Sequence, residues 1–439
     1  MARRHVIVGN GPAGLAAAEA IRRHDASADI RIIGAEDHRF YSRPGLAYVL
    51  TGAIPEKRLF SRPDSDYARA NIRRTVGTVQ TVDPRSHRLE LADGEVLRYD
   101  RLLLSVGAKA VRPEMEGIDL QGVVTLDNLA DTRHFVRLAG RAKRACVVGG
   151  GITAVELAEG LAAHRVETHY LMRGDRYWAS VLDEHESALV EERLTEDGIT
   201  IHRGVELERA IGHNGRLTAV ETKTGSVLPC EILAVAIGTQ PRLELAKQIG
   251  LETGRGIWTD ATFQTSDPDI FAAGDAAEVL DPVSGKRGIE ALWSVALEQG
   301  RVAGGHMSGT GQPYRKAAPF NVTKIGGVTT TLIGAVGTSV READLVTLAR
   351  GDSHAWREHL AAFAVVSDRD SNHLRLVLGE DRIMGAVVMG DQALSRPLQH
   401  LIRERVDIAG VRERLFHGPA EVHQALRSLM ERTVTLGAA

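Results

Sequence analysis

The sequence predicts an α/β chain of two Rossmann-like dinucleotide-binding domains followed by an α+β domain. Three observations carry that expectation. A glycine pattern, Gly9-x-Gly11-x-x-Gly14, stands between an apolar strand-like run from His5 to Val8 and an alanine-rich helical run that begins at Pro12. A second turn, Gly149-Gly150-Gly151-x-x-Ala154, returns about 140 residues later, again between an apolar strand and an apolar helix. From about residue 312 these turns stop, and short strand-like pieces give way to two helical patterns. The expected division is 1–112 with 245–311 for the first domain, 113–244 for the second and 312–439 for the third.

Composition bounds the function. Hydrophobic residues make up 43% and charged residues 25% of the 439, the balance of a globular chain with a large core. A net charge of −3 gives no bulk attraction for nucleic acid or an anionic membrane. The apolar stretch after Met1 is only a strand long before Gly9 breaks it, so neither a signal peptide nor a membrane span is expected, and a cytoplasmic location is. The two cysteines, Cys146 and Cys230, fall in separate strand-like runs and read as small core residues, not as a disulfide or metal site. Histidine pairs such as His354 and His359 lack the helical spacing and neighbours of a metal site, so no metal is expected.

Taken in order, each element has a physical reason. Gly9 makes the tight turn, Gly11 lets a pyrophosphate approach the backbone and Gly14 lets the helix lie close to the strand. Pro12 and Ala13 open a helix whose free N–H groups favour an anion. The strand Ile30 to Gly34 leads to Glu36, about 22 residues past Gly14, where an acid holds an adenosine ribose hydroxyl. Strand-like pieces follow from Val76 to Val79, from His87 to Leu91 and from Leu97 to Ser105, the last stopped near Gly107; Val79, Ser105 and Gly107 are candidate cofactor contacts. Arg112-Pro113 reads as a linker. In the second domain Gly149, Gly151, Ile152 and Thr153 form the turn and helix start, and Arg173 and Arg176 follow the next strand. The run ending at Gly238 repeats the character of the run ending at Gly107. Phe271-Ala272-Ala273-Gly274-Asp275 comes next, then Glu290 and Trp293. Expected strands of the last domain are Phe320 to Ile325, Thr329 to Ile333, Ala362 to Val366 and a hairpin from Leu374 to Met389, with helices from about Pro397 to Arg405 and Pro419 to Arg432. Arg396, Arg403, Arg405, Arg412 and Arg414 could form a docking face, but interspersed acids favour an ordinary mixed-charge surface.

These five glycine-bearing motifs, in register over the first 310 residues or so, resemble the flavoproteins with two dinucleotide-binding domains that include the pyridine nucleotide-disulfide oxidoreductases. The resemblance implies FAD on the first fold, NAD(P)H on the second, and a C-terminal domain that can serve as a homodimer interface. It implies that Asp275, eased by Gly274, bonds the ribityl chain; a helix cap is the other reading of that aspartate. It places Glu290 and Trp293 toward the flavin and nicotinamide rings, with plain packing the alternative for the tryptophan. The departures are informative. Disulfide reductases of the family carry a cysteine pair after the FAD turn, and another branch carries one cysteine where this chain has Ser42-Arg43-Pro44-Gly45; a thiolate is required for disulfide exchange, so that chemistry is not expected. The segment is more similar to rubredoxin and ferredoxin reductases and to the flavin portion of nitrite reductases. Ala47 and Tyr48 replace a lysine of some ferredoxin reductases and favour the rubredoxin and nitrite branch. Arg43 is then a candidate to stabilise reduced, anionic flavin, a surface ion pair being the alternative. Arg173 and Arg176, with no acid directly after Met172, favour NADPH over NADH.

The expected function is an FAD-dependent NAD(P)H oxidoreductase that passes electrons to a small electron-carrier protein or a partner reductase subunit. An NAD(P)H oxidase or small-molecule reductase is the second reading, and a flavin-binding regulatory or assembly protein with poor turnover is the third.

Overall fold

A computed structural model describes residues 2–280, 285–337, 363–369, 372–417 and 419–437. The first sheet is parallel, in the order Ile270–Ala272, Arg101–Leu104, Arg4–Val8, Asp29–Gly34, Ile72–Val76. Its strands are covered on both faces, which is why they read as nearly continuous apolar runs: Val6 to Val8, Ile30, Ile32, Ile33 and Leu102 to Leu104 are all buried. Helix Pro12–His24 leaves the first turn and packs on helix Trp293–Met307. That contact is unusually close. A Cβ on Gly300 would stand 2.1 Å from the Ala13 carbonyl oxygen, and one on Gly304 would stand 2.4 Å from that of Ala17. The alanines of one helix and the glycines of the other are thus one packing device, which draws residue 293 toward the first turn.

The run from Leu97 to Ser105, expected as one strand, is two. Val96–Arg98 closes a three-stranded antiparallel sheet with Val79–Asp83 and Arg88–Leu91, whereas Arg101–Leu104 belongs to the parallel sheet. The break is set by Asp100, which accepts hydrogen bonds from the Arg4 backbone N–H at 2.7 Å and from the guanidinium at 2.6 and 3.2 Å. Burial of Tyr99 beside it hides this corner from a reading of hydrophobicity alone. Val76 to Val79 is divided in the same way: Ile72–Val76 ends in the parallel sheet and Val79 starts the antiparallel one.

The chain crosses to the second sheet through Ala108–Ala110 and returns through Thr239–Pro241, which pair antiparallel. The second sheet is again parallel, ordered Ile199–Arg203, Glu167–Met172, Arg144–Val148, Ile232–Val235, Val123–Val124. Cys146 and Cys230 are free and buried there, and the Cys146 thiol is pushed well up by its hydrogen bond with Cys230 and by burial. Neither lines the cavity described below.

The last sheet is antiparallel, in the order Phe320–Ile325, Val328–Gly334, Ile383–Met389, Asn372–Leu378, Phe363–Arg369. Helices Ser395–Arg403 and Pro419–Gly437 accompany it. Buried Leu376, Leu398, Leu401, Leu415 and Leu426 share its core. His354, His359 and Ala362 lie outside the described residues. Among the described residues no helix is long and apolar enough to cross a membrane.

Candidate active site

The carboxyl ends of the first sheet open into a cavity of about 800 Å³ walled by all three sheets' neighbourhoods, the place where parallel α/β sheets take ligands. Gly9, Asn10, Gly11 and Pro12 form one wall. The turn is held from outside: Ser105 donates its hydroxyl to the carbonyls of Val8 at 3.0 Å and Gly9 at 3.2 Å. Gly9 has φ +116°, and a Cβ there would lie 2.1 Å from the Ser105 carbonyl oxygen. Gly11 is different. A Cβ on it would meet nothing within 4 Å, and it faces the cavity. The protein itself does not require glycine at residue 11, so the residue fits a ligand that approaches the backbone there, as a dinucleotide pyrophosphate does at a helix N-terminus.

Glu36 lines the same cavity two residues beyond strand Asp29–Gly34. Its carboxylate accepts from the Tyr41 hydroxyl at 2.9 Å and from Arg43 Nη2 at 2.7 Å. Arg43 also donates to the Asp127 carbonyl. Burial pushes the Tyr41 phenol up, so it stays a donor at all working pH. The Arg43 guanidinium thus lines the cavity while paired with Glu36, the ion pair weighed from sequence.

Further round the wall come Val79, Gly107, Gly274 and Asp275. Gly274 has φ +77° and donates its N–H to Gln299 Oε1 at 2.8 Å, which fixes the turn that presents half-buried Asp275. Trp293 starts helix Trp293–Met307 and packs its ring 5.5 Å from that of Phe40, inside the cavity wall. Glu290 is not there. It is 4% exposed, behind the lining segment that starts at Ala291, where it accepts from the Tyr314 hydroxyl at 3.1 Å and pairs with Lys316 at 3.5 Å. In this position it anchors the segment carrying Trp293 and does not reach the cavity.

The second fold contributes Ile152 and Glu156. Gly149, Gly151, Thr153 and Gly238 stand at its own turn, outside that wall, as Ala13 and Gly14 do behind the first turn. Gly149 has φ +152° and no room for a Cβ, 2.2 Å from the Ala236 carbonyl oxygen, whereas a Cβ on Gly151 would meet nothing within 4 Å. The backbone pattern of the first turn is repeated, with Gly151 outside the cavity wall. Arg173 is exposed just past strand Glu167–Met172, and Arg176 lies 3.6 Å from Asp175.

Reading the sequence missed much of the wall, including Asp127, Asn128, Glu156, Arg242, Glu244 and the segment from Phe320 to Thr323. Glu156 lies one helical turn after Ile152, so the 3.6-residue period could have found it. Asn321, Val322 and Thr323 reach the cavity from the last sheet, a contact that no local pattern signals. The arginines of the last domain are largely spoken for: Arg403 pairs with Glu404 at 2.8 Å and Arg414 with Glu421 at 3.1 Å. Arg396 lies over the Phe320 ring, at 5.5 Å.

A sequence profile described as pyridine nucleotide-disulphide oxidoreductase matches residues 3–300. The ferredoxin–NAD(+) reductase component of the biphenyl dioxygenase system of Paraburkholderia xenovorans is 32% identical over 331 residues, 75% of this chain and 80% of that protein. An NADH oxidase of Methanocaldococcus jannaschii is 27% identical over 93% of this chain and 90% of its own length. Among solved structures, the ferredoxin reductase for the CYP199A2 system of Rhodopseudomonas palustris superposes with a TM-score of 0.81 at 23% identity, covering 92% of this chain and 95% of that one.

Proposed function

The chain belongs to the pyridine nucleotide-disulphide oxidoreductase family, and on that premise we propose that it moves reducing equivalents from NAD(P)H through FAD to a small electron-carrier protein or a partner reductase subunit, without thiol chemistry. One observation carries the reading: a single cavity joins the Gly9–Pro12 turn, Asp275 and Trp293 to Ile152 and Glu156 of the second fold. Bound FAD supplies a ring that takes two electrons together and releases them one at a time.

The chain's own residues do the positioning. The Gly11 backbone and the N-terminal N–H groups of helix Pro12–His24 hold the pyrophosphate. Glu36, oriented by Tyr41 and Arg43, accepts from the ribose hydroxyls, and Asp275 accepts from the ribityl hydroxyls. The N-terminus of helix Ile152–Ala163 would hold the second pyrophosphate, with Ile152 and Glu156 of that helix on the cavity wall. Trp293, backed by Phe40, gives the cavity an apolar stretch of wall. The segment Ser42-Arg43-Pro44, which lines the cavity, holds no cysteine, and disulfide exchange needs a thiolate.

Arg173 and Arg176 support NADPH as the donor, because a guanidinium pairs with a 2′-phosphate. The name of the Paraburkholderia relative carries NAD(+) instead, so the preference has to be measured. The deciding experiment is anaerobic stopped-flow reduction of the purified yellow protein at its flavin band, with NADPH and NADH in turn. Fast bleaching without added thiol is expected, with NADPH more efficient and the Arg173→Asp variant losing about tenfold of that advantage. No bleaching by either donor would bring forward a regulatory flavin protein. The archaeal oxidase relative supports a second reading, an NAD(P)H oxidase; brisk oxygen uptake with no gain from added carrier would establish it over the first.

A further inference from the structure

The last domain reaches the cavity through one strand, Phe320–Ile325, and the hairpin that continues it ends in the turn Gly326-Gly327. Both glycines are left-handed, at φ +55° and +70°. This turn is docked on the second fold. The Gly327 N–H donates to Glu159 Oε1 at 3.0 Å, and a Cβ on Gly326 would stand 3.1 Å from the Val190 carbonyl oxygen and 3.1 Å from Arg193 Cβ. Glu159 is on the same helix as Ile152 and Glu156, at i+7 and i+3, and therefore on the same face. Helix and strand thus form a bracket: at one end Ile152, Glu156 and Phe320 to Thr323 wall the cavity, and at the other Glu159 holds the hairpin tip.

We infer that Glu159 is a positioning residue: its grip on the Gly326-Gly327 turn holds the last domain's strand across the mouth of the dinucleotide cavity and fixes that wall relative to the helix that presents the nicotinamide. The inference rests on the reading of the cavity given above. Burial is the largest influence on the carboxyl and lifts it to about 7; the turn's own Gly327 N–H comes next and favours the ionised form, as do Lys324 and the Gly326 N–H, while Asp197 pushes the proton affinity up. Burial and the turn thus pull in opposite directions, and what the grip requires is an acceptor oxygen held at this place. A neutral amide offers one and should hold the turn.

The test uses the FAD-loaded protein with two variants, E159A and E159Q, and reads hydrogen-exchange protection of the Gly327 amide alongside the KM for NAD(P)H. In E159A, protection should fall at least tenfold and KM should rise about tenfold, with FAD content kept. In E159Q, whose amide oxygen offers the same acceptor, protection and KM should stay near the wild type. Wild-type protection and KM in E159A would overturn the inference, as would an E159Q variant that loses both; the latter measurement decides the matter if E159A does not fold. Should the wild type fail to be reduced by NAD(P)H at all, the cavity reading fails, and the exchange measurement still reads the docking by itself.

Discussion

The two glycine turns have the same backbone plan and differ at two coupled places. In the first, the third small residue is Gly14 and the facing residue is Ser105; in the second these are Ala154 and Ala236. Ser105 and Ala236 are equivalent, since each donates its N–H to the last residue of the preceding strand, Val8 at 2.9 Å and Val148 at 2.8 Å. A methyl on residue 14 would meet the Gly9 carbonyl oxygen at 2.0 Å and, at 2.8 Å, the Ser105 hydroxyl that bonds that same carbonyl and the one of Val8. Ala236 has no hydroxyl, and the Ala154 methyl fits there fully buried. A tied turn demands a glycine; an untied one accepts an alanine.

That coupling predicts the largest effect. Gly14→Ala places a Cβ 2.0 Å from the Gly9 carbonyl oxygen and should destabilise the first fold by about 3 kcal/mol or more through overpacking. Ala154→Gly should cost only about 1 kcal/mol, its helix propensity. Ser105→Ala alone should lose about 1 kcal/mol of hydrogen bonding, and adding it to Gly14→Ala should recover part of the loss. Urea denaturation of the four variants gives the cycle, and strict additivity would disprove the coupling.

The strands that feed the turns supply the next contrast. His5 occupies the position that Ala145 holds in the second fold. It is 1% exposed with neither ring nitrogen partnered, and burial pushes its proton affinity down to about 4. The unfolded chain then binds a proton that the folded one refuses, so stability falls as pH drops from about 6.5 toward 4, by something of the order of 3 kcal/mol. In His5→Val that acid slope should flatten. A slope unchanged in a Tm-against-pH series would mean that other groups carry it.

How far the molecule could be read in advance follows from the same physics. The two turns, their strands and the antiparallel hairpins were legible because each is specified within about 30 residues by period and glycine placement. Trp293 lines the cavity because it opens the helix whose glycine face meets the alanine face of Pro12–His24, and Asp275 lines it on the turn that Gly274 and Gln299 fix. Glu290 misled, since a carboxylate next to the lining segment can point either way, and Tyr314 and Lys316 draw it inward from residues with no local signature. The wall from Asn321 to Thr323 was invisible for the same reason: it lines the same cavity as the first turn across more than 300 residues of chain.

The middle glycines sharpen the comparison last, and with the smallest effect on the fold. Gly11 has φ −91° and ψ −172°, and Gly151 has φ −119° and ψ −172°, conformations any residue adopts. Neither would bring a Cβ within 4 Å of the protein. Alanine at either place should therefore leave apo-protein stability within about 0.5 kcal/mol, or slightly raised by the loss of unfolded-state freedom. What alanine should harm is the approach of a ligand, and each turn should be harmed separately. Gly11→Ala should lose FAD, with affinity down about tenfold or more, at an unchanged apo Tm. Gly151→Ala should keep its flavin and raise the KM for NAD(P)H by a similar factor. If Gly151→Ala loses flavin instead, the assignment of the two folds is inverted, and if both variants bind and turn over normally, the glycines belong to the fold and not to the dinucleotides.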